Sequence, residues 1–207
     1  MKLFFHYCSS GFGNCYILGM ENDGKNLPNT AIIVDPGSID NVTLKTIENN
    51  NFHPRAVLIT HDHLGHVQGL RTLKRIYDIE VFAVNQTIMN HKTSMVKDGD
   101  RLNIGGFSVE VISIPGHSSD SVVYKIDTLL FTGDVLTAGL VGRTASAYGT
   151  TTQMNKLRSR LLSLPGDYIV LPGHGPPSTL EAERRFNADI INYEQNRTKP
   201  PVFRIDL

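Results

Sequence analysis

The 207-residue sequence has no tryptophan and only two cysteines. Its 20 basic and 20 acidic side chains cancel. No basic stripe points to nucleic acid, and no acidic tail points to a charged partner. The two cysteines, Cys8 and Cys15, make no disulfide framework, and neither belongs to a Cys-x-x-Cys pair. They read as small, semi-buried residues. No apolar run approaches the ~18 residues that a membrane span needs. The N-terminal "MKLFFHYCSS" holds too few apolar residues for a signal-peptide core. A soluble, cytoplasmic protein in a reducing compartment is the expectation, with neither membrane nor nucleic acid as partner. Linkers, repeats and low-complexity stretches are also missing. A single domain over residues 1–207 is therefore expected, long enough to bury a sizeable core.

What is present is a series of short apolar runs broken by Gly, Asn and Pro. "KLFFHY", "NCYILGM", "TAIIVDP", "RAVLIT", "EVFAV", "FSVEVISIP", "SVVYKI", "TLLFTG" and "YIVLPG" read as strands. Helical spacing places Ile39, Val42, Leu44 and Ile47 near one face, then Val67, Leu70, Leu73 and Ile76, then Met154, Leu157, Leu161 and Leu164. A last helix is expected from Ser178, which forms a capping-box pattern with Glu181. Strand-rich halves, each closed by helices, suggest helices outside a layered sheet. The tail "NRTKPPVFRIDL" has two prolines that bar helix. It is expected to lie extended over the surface or a partner subunit, or to be loosely attached.

The chemistry gathers at strand ends. "LITHDHLGHVQGL", from Leu58 to Leu70, carries His61, His63 and His66. "RAVLIT" runs into His61 and His63, "EVISIPG" into His117, "LLFTG" into Asp134 and "YIVLPG" into His174. Ligand sites in layered α/β folds collect at such ends, because the strand fixes the loop and the loop is free to carry function. Alternate residues of an extended chain point the same way, so His61 and His63 face one point and Asp62 another. His66 is re-aimed as the chain turns into a helix. Each fragment alone is a common loop feature; four of them in this order are specific. His6, His53 and His91 sit in ordinary contexts and read as structural or surface residues. Asp120 reads as an acceptor for loop amides.

"THDHLGH", "PGHSSDS", "FTGD" and "LPGHGPPST" resemble, in order, the signature segments of the metallo-β-lactamase superfamily. "GFGNCYILG" and "AIIVDPGS" are similar to its opening strands, and "AGLVGRT" to its glyoxalase-II-like branch. The resemblance implies an α/β fold, a four-layer αββα sandwich with a metal site at one edge of the two sheets. It implies a first ion on His61, His63 and His117, with Asp134 bridging to a second ion on His66 and His174. The family pattern His-x-His-x-Asp-His is broken at Gly65. One ion firmly bound and a second weak or absent is the expectation. A carboxylate at 65 would strain the turn if that residue had positive φ.

Imidazoles and a carboxylate suit zinc and iron alike. Zinc is expected, with iron or manganese as alternatives. Three histidines leave one exchangeable position, as catalytic sites do. An ion there lowers the pKa of its water to about 7, so no protein nucleophile is required. The expected activity is hydrolysis of a small-molecule thioester or acyl ester. Two readings stay beside it: a persulfide dioxygenase with one iron, and a non-catalytic member with a weakened second site. Arg143 either holds a substrate carboxylate or pins its loop, and Tyr148 either lines the mouth or, as a loop tyrosine more often does, serves packing. Glyoxalase II proper carries an extra C-terminal region that binds glutathione. This chain ends about one helix after His174, so a glutathione thioester is not the expected substrate. A monomer or homodimer is expected.

Overall fold

The computed structural model describes residues 1–9, 11–21 and 29–197. Most of the charged tail, from residue 198 on, lies outside the described residues.

Two six-stranded sheets form the middle of the molecule. The first runs in chain order through β1 (Lys2–Tyr7), β2 (Asn14–Met20), β3 (Asn29–Val34), β4 (Phe52–Leu58), β5 (Glu80–Ala83) and β6 (Ser94–Met95). Its first three strands are antiparallel, and β3 to β6 are parallel. The second sheet holds β7 (Arg101–Ile104), β8 (Phe107–Ser113), β9 (Val122–Ile126), β10 (Leu129–Gly133), β11 (Ile169–Pro172) and β12 (Ser178–Thr179), adjacent in that order. Only β10 and β11 are parallel there.

Alternation along the strands builds three cores. On β2, Tyr16 and Leu18 face the second sheet and meet Val111, Tyr124, Phe131 and Leu171. Cys15 and Ile17 face the other way, onto α1 (Asn41–Asn49), α2 (Leu64–Val67) and α3 (Leu70–Ile76), where Ile47, Val67, Leu70 and Leu73 are buried. The outer face of the second sheet packs Val123, Leu130 and Val170 against Met154, Leu157, Leu161 and Leu180. Those side chains come from α4 (Ala147–Lys156), the π-helical turn Leu157–Leu161 that continues it, and α5 (Leu180–Phe186). The result is the expected αββα sandwich. Each buried CH₂ contributes about 0.8 kcal/mol, so these clusters hold the loops between them in place.

Some expectations need correction. Val42 and Ile76 keep the helical spacing but are exposed, because each helix is short and buries only a narrow stripe. Both cysteines are fully buried rather than semi-buried. The cap of α5 is Thr179, whose hydroxyl accepts from Ala182 N, while Ser178 pairs in β12 and donates to Glu183. The last helical stretch is broken at Asn187, whose extended backbone separates α5 from α6 (Ala188–Arg197). "RLNI" forms the edge strand β7, which its alternating polar residues concealed.

Candidate metal centre

The loops after β4, β8, β10 and β11 meet at one edge of the sandwich. His61 and His63 leave β4 on the same side of the chain, with the His63 backbone extended as it caps α2. His61 Nε2 and His63 Nδ1 are 3.0 Å apart, and His117 Nε2 is 3.1 Å from the same His63 nitrogen. Asp134 Oδ2 closes the group, 3.9 Å from His61 Nε2 and 3.7 Å from His117 Nε2. Three ring nitrogens aimed at one point, with a carboxylate oxygen beside them, make a donor set for a cation. Burial drives the pKa of His61 down to about 3, with His66 adding repulsion. Burial also lowers that of His63, with His117 as the next cause. Both rings are neutral at pH 7 and keep a lone pair for a ligand.

Each ring is fixed from behind. His117 Nδ1 donates to the Arg143 carbonyl at 2.8 Å. Thr60 Oγ1 lies 3.1 Å from His61 Nδ1 and donates to Asp35 Oδ2 at 2.6 Å. Asp35 also accepts from Thr60 N at 2.8 Å and from His66 Nδ1 at 3.0 Å. This carboxylate sits at the end of β3 with φ +50°. The sequence reading passed over it; an aspartate closing an apolar strand in "VDPG" was the available signal. Such hydrogen bonds behind the ligands set ring orientation.

His66 Nε2 is buried, has no hydrogen-bond partner and lies 3.6 Å from Asp134 Oδ1. Burial opposes charge on His66, but Asp35 and Asp134 outweigh it and raise its pKa to about 10. Burial likewise opposes charge on Asp134, yet the hydrogen bond from His174 and the closeness of His66 hold it well below the usual carboxylate range. His174 Nδ1 is 2.7 Å from Asp134 Oδ1, and that bond raises the pKa of the ring. Its Nε2 faces the Gly11 carbonyl at 3.4 Å.

Among the described residues, two groups bring ligand atoms within 4.8 Å of one another: His61 with His63 and His117, and His61 with His66 and Asp134. His174 belongs to neither. Asp62 likewise belongs to neither, and its backbone N donates to Asp120 Oδ2 at 2.9 Å. Arg143 is exposed and borders a cavity of about 240 Å³ shared with Gln153, Met154, Asp189 and Tyr193. Tyr148 is 82% exposed and borders a groove with Pro115, Gly116 and Gly149. Of the other histidines, His6 pairs with Asp40 at 3.2 Å, and His53 and His91 lie in strands.

The sequence model of the metallo-beta-lactamase superfamily matches residues 10–174. The chain belongs to this superfamily. It is 35% identical to a hydroxyacylglutathione hydrolase of Yersinia enterocolitica, over 89% of this chain and 72% of that enzyme. The solved structure of the BLEG-1 B3 metallo-beta-lactamase superposes with a TM-score of 0.77 at 26% identity, covering 91% of this chain and 99% of that one. The structure of TTHA1623 in a di-iron-bound form gives 0.73 at 27% identity, covering 90% and 99%. For a metallo-beta-lactamase superfamily member, the three converged nitrogens fit a metal ion.

The fit of a second ion is poorer. Gly65 offers no donor. It lies within α2, outside the left-handed region, so the strain foreseen for a carboxylate there does not arise. The obstacle is steric: a Cβ at Gly65 would stand 3.2 Å from the Gly11 carbonyl oxygen.

Proposed function

We propose that the chain is a metal-dependent hydrolase acting on a thioester or other small acyl ester. The observation that carries the reading is the convergence of His61 Nε2, His63 Nδ1 and His117 Nε2, with Asp134 Oδ2 beside them. Zinc is the proposed ion, and it supplies Lewis acidity and activated water at neutral pH.

The chain's own part is positioning. Neutral His61 and His63 offer lone pairs without first losing a proton. Thr60 and the Arg143 carbonyl fix the His61 and His117 rings, so little reorganisation accompanies binding. The groove bordered by Tyr148 and Pro115 adjoins the loop that carries His117. It is the proposed seat of the acyl group, with Arg143 on the neighbouring cavity for a substrate carboxylate. Similarity to a hydroxyacylglutathione hydrolase supports a thioester as the first class to try. No helix among the described residues is long and apolar enough to cross a membrane. A small molecule as substrate and a cytoplasmic setting complete the proposal.

The test is a panel of small thioesters and esters, offered without dioxygen to protein loaded with zinc, iron or manganese. Metal-dependent hydrolysis of at least one is expected. No hydrolysis, together with dioxygen uptake by the iron form when given a persulfide, would overturn the reading.

A further inference from the structure

We infer that His174 is a positioning residue for Asp134 rather than the ligand of a second ion, and that the Gly11 peptide, seated on Gly65, holds it there. The inference rests on the reading of His61, His63 and His117 as the seat of one ion. It concerns what this chain has built where the superfamily resemblance implies another.

Both nitrogens of His174 face oxygen acceptors: Asp134 Oδ1 at 2.7 Å and the Gly11 carbonyl at 3.4 Å. A ring so placed works as a hydrogen-bond donor. It also stands too far away to share an ion with His66. Two zinc-bound nitrogens are about 4.2 Å apart at most, when they sit on opposite sides of the metal. Among the described residues, no set of three donors within 4.8 Å includes His174. The remaining group is no independent site. It borrows His61, whose Nε2 faces the first set and whose Nδ1 faces Thr60.

Gly65 is part of this arrangement rather than a simple loss. Gly11 has φ +85°, and a Cβ on it would stand 2.7 Å from Gly65 Cα. A Cβ on Gly13 or Gly37 would stand 2.9 or 1.9 Å from the Gly65 carbonyl oxygen. The β1–β2 turn and the Gly37 backbone therefore close on Gly65 with no room for side chains of their own, and the Gly11 carbonyl oxygen stands 3.2 Å from where a Cβ at 65 would lie. Asn14 fixes the same turn from below. Its N donates to Gly173 O at 2.7 Å, and its Nδ2 to Pro172 O at 2.9 Å and Gly175 O at 2.7 Å. Three hydrogen bonds thus tie the turn to the His174 loop, and His174 Nδ1 occupies Asp134 Oδ1 while Oδ2 stays turned to the first set.

The test is metal content and affinity after equilibrium dialysis against zinc, for the wild type, His174→Ala, His174→Asn and Gly65→Ala, with visible spectra of the cobalt-substituted proteins. One ion per chain is expected in all four. His174→Ala should bind it about 10–100-fold more weakly, the range for losing a group that orients a ligand. His174→Asn should recover most of that loss and the wild-type cobalt spectrum, because its amide N–H takes the place of ring Nδ1. Gly65→Ala, which presses a methyl on the Gly11 carbonyl without touching the histidines, should weaken binding severalfold. Two ions of similar affinity in the wild type, falling to one in His174→Ala, would overturn the inference and leave the hydrolase reading standing. Unchanged affinity and spectrum in His174→Ala would also overturn it. A wild type that takes up no ion removes the hydrolase reading itself.

Discussion

His61 is held at both ring nitrogens, one toward Thr60 and one toward the point it shares with His63 and His117. Removing it takes away a donor and opens a buried polar hole. His61→Ala and His117→Ala are each expected to lose tight zinc binding and hydrolysis together, measured by metal content and by turnover of a small thioester. His66→Ala should do less harm, because the three converged nitrogens survive. Equal and complete loss from all three would mean that His66 matters as much as they do. Gly65→Asp is the complementary gain. The backbone there tolerates a side chain, and the Gly11 carbonyl must yield by a few tenths of an ångström. The new carboxylate would add the anionic donor that His66 and Asp134 lack. A second ion at saturating zinc is the expected result, read by metal analysis; a stoichiometry still at one would show that the Gly11 turn does not yield.

At the scale of elements, the sequence made the strand ends legible because ligands there lie next to recognisable apolar runs. His61, His117, Asp134 and His174 each follow such a run. What stayed hidden was contact between segments far apart in the chain. Asp35 touches Thr60 and His66 only because β3 and β4 pair in parallel. Gly11 meets Gly65 and His174 only once the β1–β2 turn folds over the edge. The geometry of His174 is likewise a fact of packing, which no spacing rule encodes. The clamp between β2 and the His174 loop gives a prediction about elements. Asn14→Ala removes the amide that donates to Pro172 O, Gly175 O and, at 3.3 Å, Tyr16 OH. Pro172 O keeps Tyr16 OH as donor at 2.7 Å, but Gly175 O loses its Asn14 donor. The expected cost is about 1–3 kcal/mol, read from urea denaturation. Asn14→Asp should cost more, since it turns a carboxylate toward two carbonyl oxygens. An aspartate variant as stable as the wild type would mean the loop is held by other contacts.

At the scale of the whole molecule, two buried histidines with opposite shifts set the pH range in which the metal-free fold is most stable. His61 is driven down to about 3 from the ordinary 6.5, by burial first and by His66 second. Below pH 6.5 the unfolded chain takes up a proton that the folded one refuses. The stability from His61 is therefore present above pH 6.5 and is lost as the pH falls toward 3. His66 runs the other way. Despite burial, Asp35 and Asp134 raise it to about 10. Its contribution is present below pH 6.5 and is lost as the pH rises through 10. Asp134, held below the usual carboxylate range, adds a further loss at the acid end, below about pH 4. The urea midpoint of the metal-free protein should accordingly peak near pH 6.5 and fall on both sides. Zinc should raise that midpoint at neutral pH by mass action. Its gain should shrink in acid, where protons compete for the same ring nitrogens. The measurement is a set of urea titrations between pH 4 and 10, with and without zinc. A flat metal-free profile would show that His61 and His66 titrate alike in the folded and unfolded chain. The account of their burial would then be wrong.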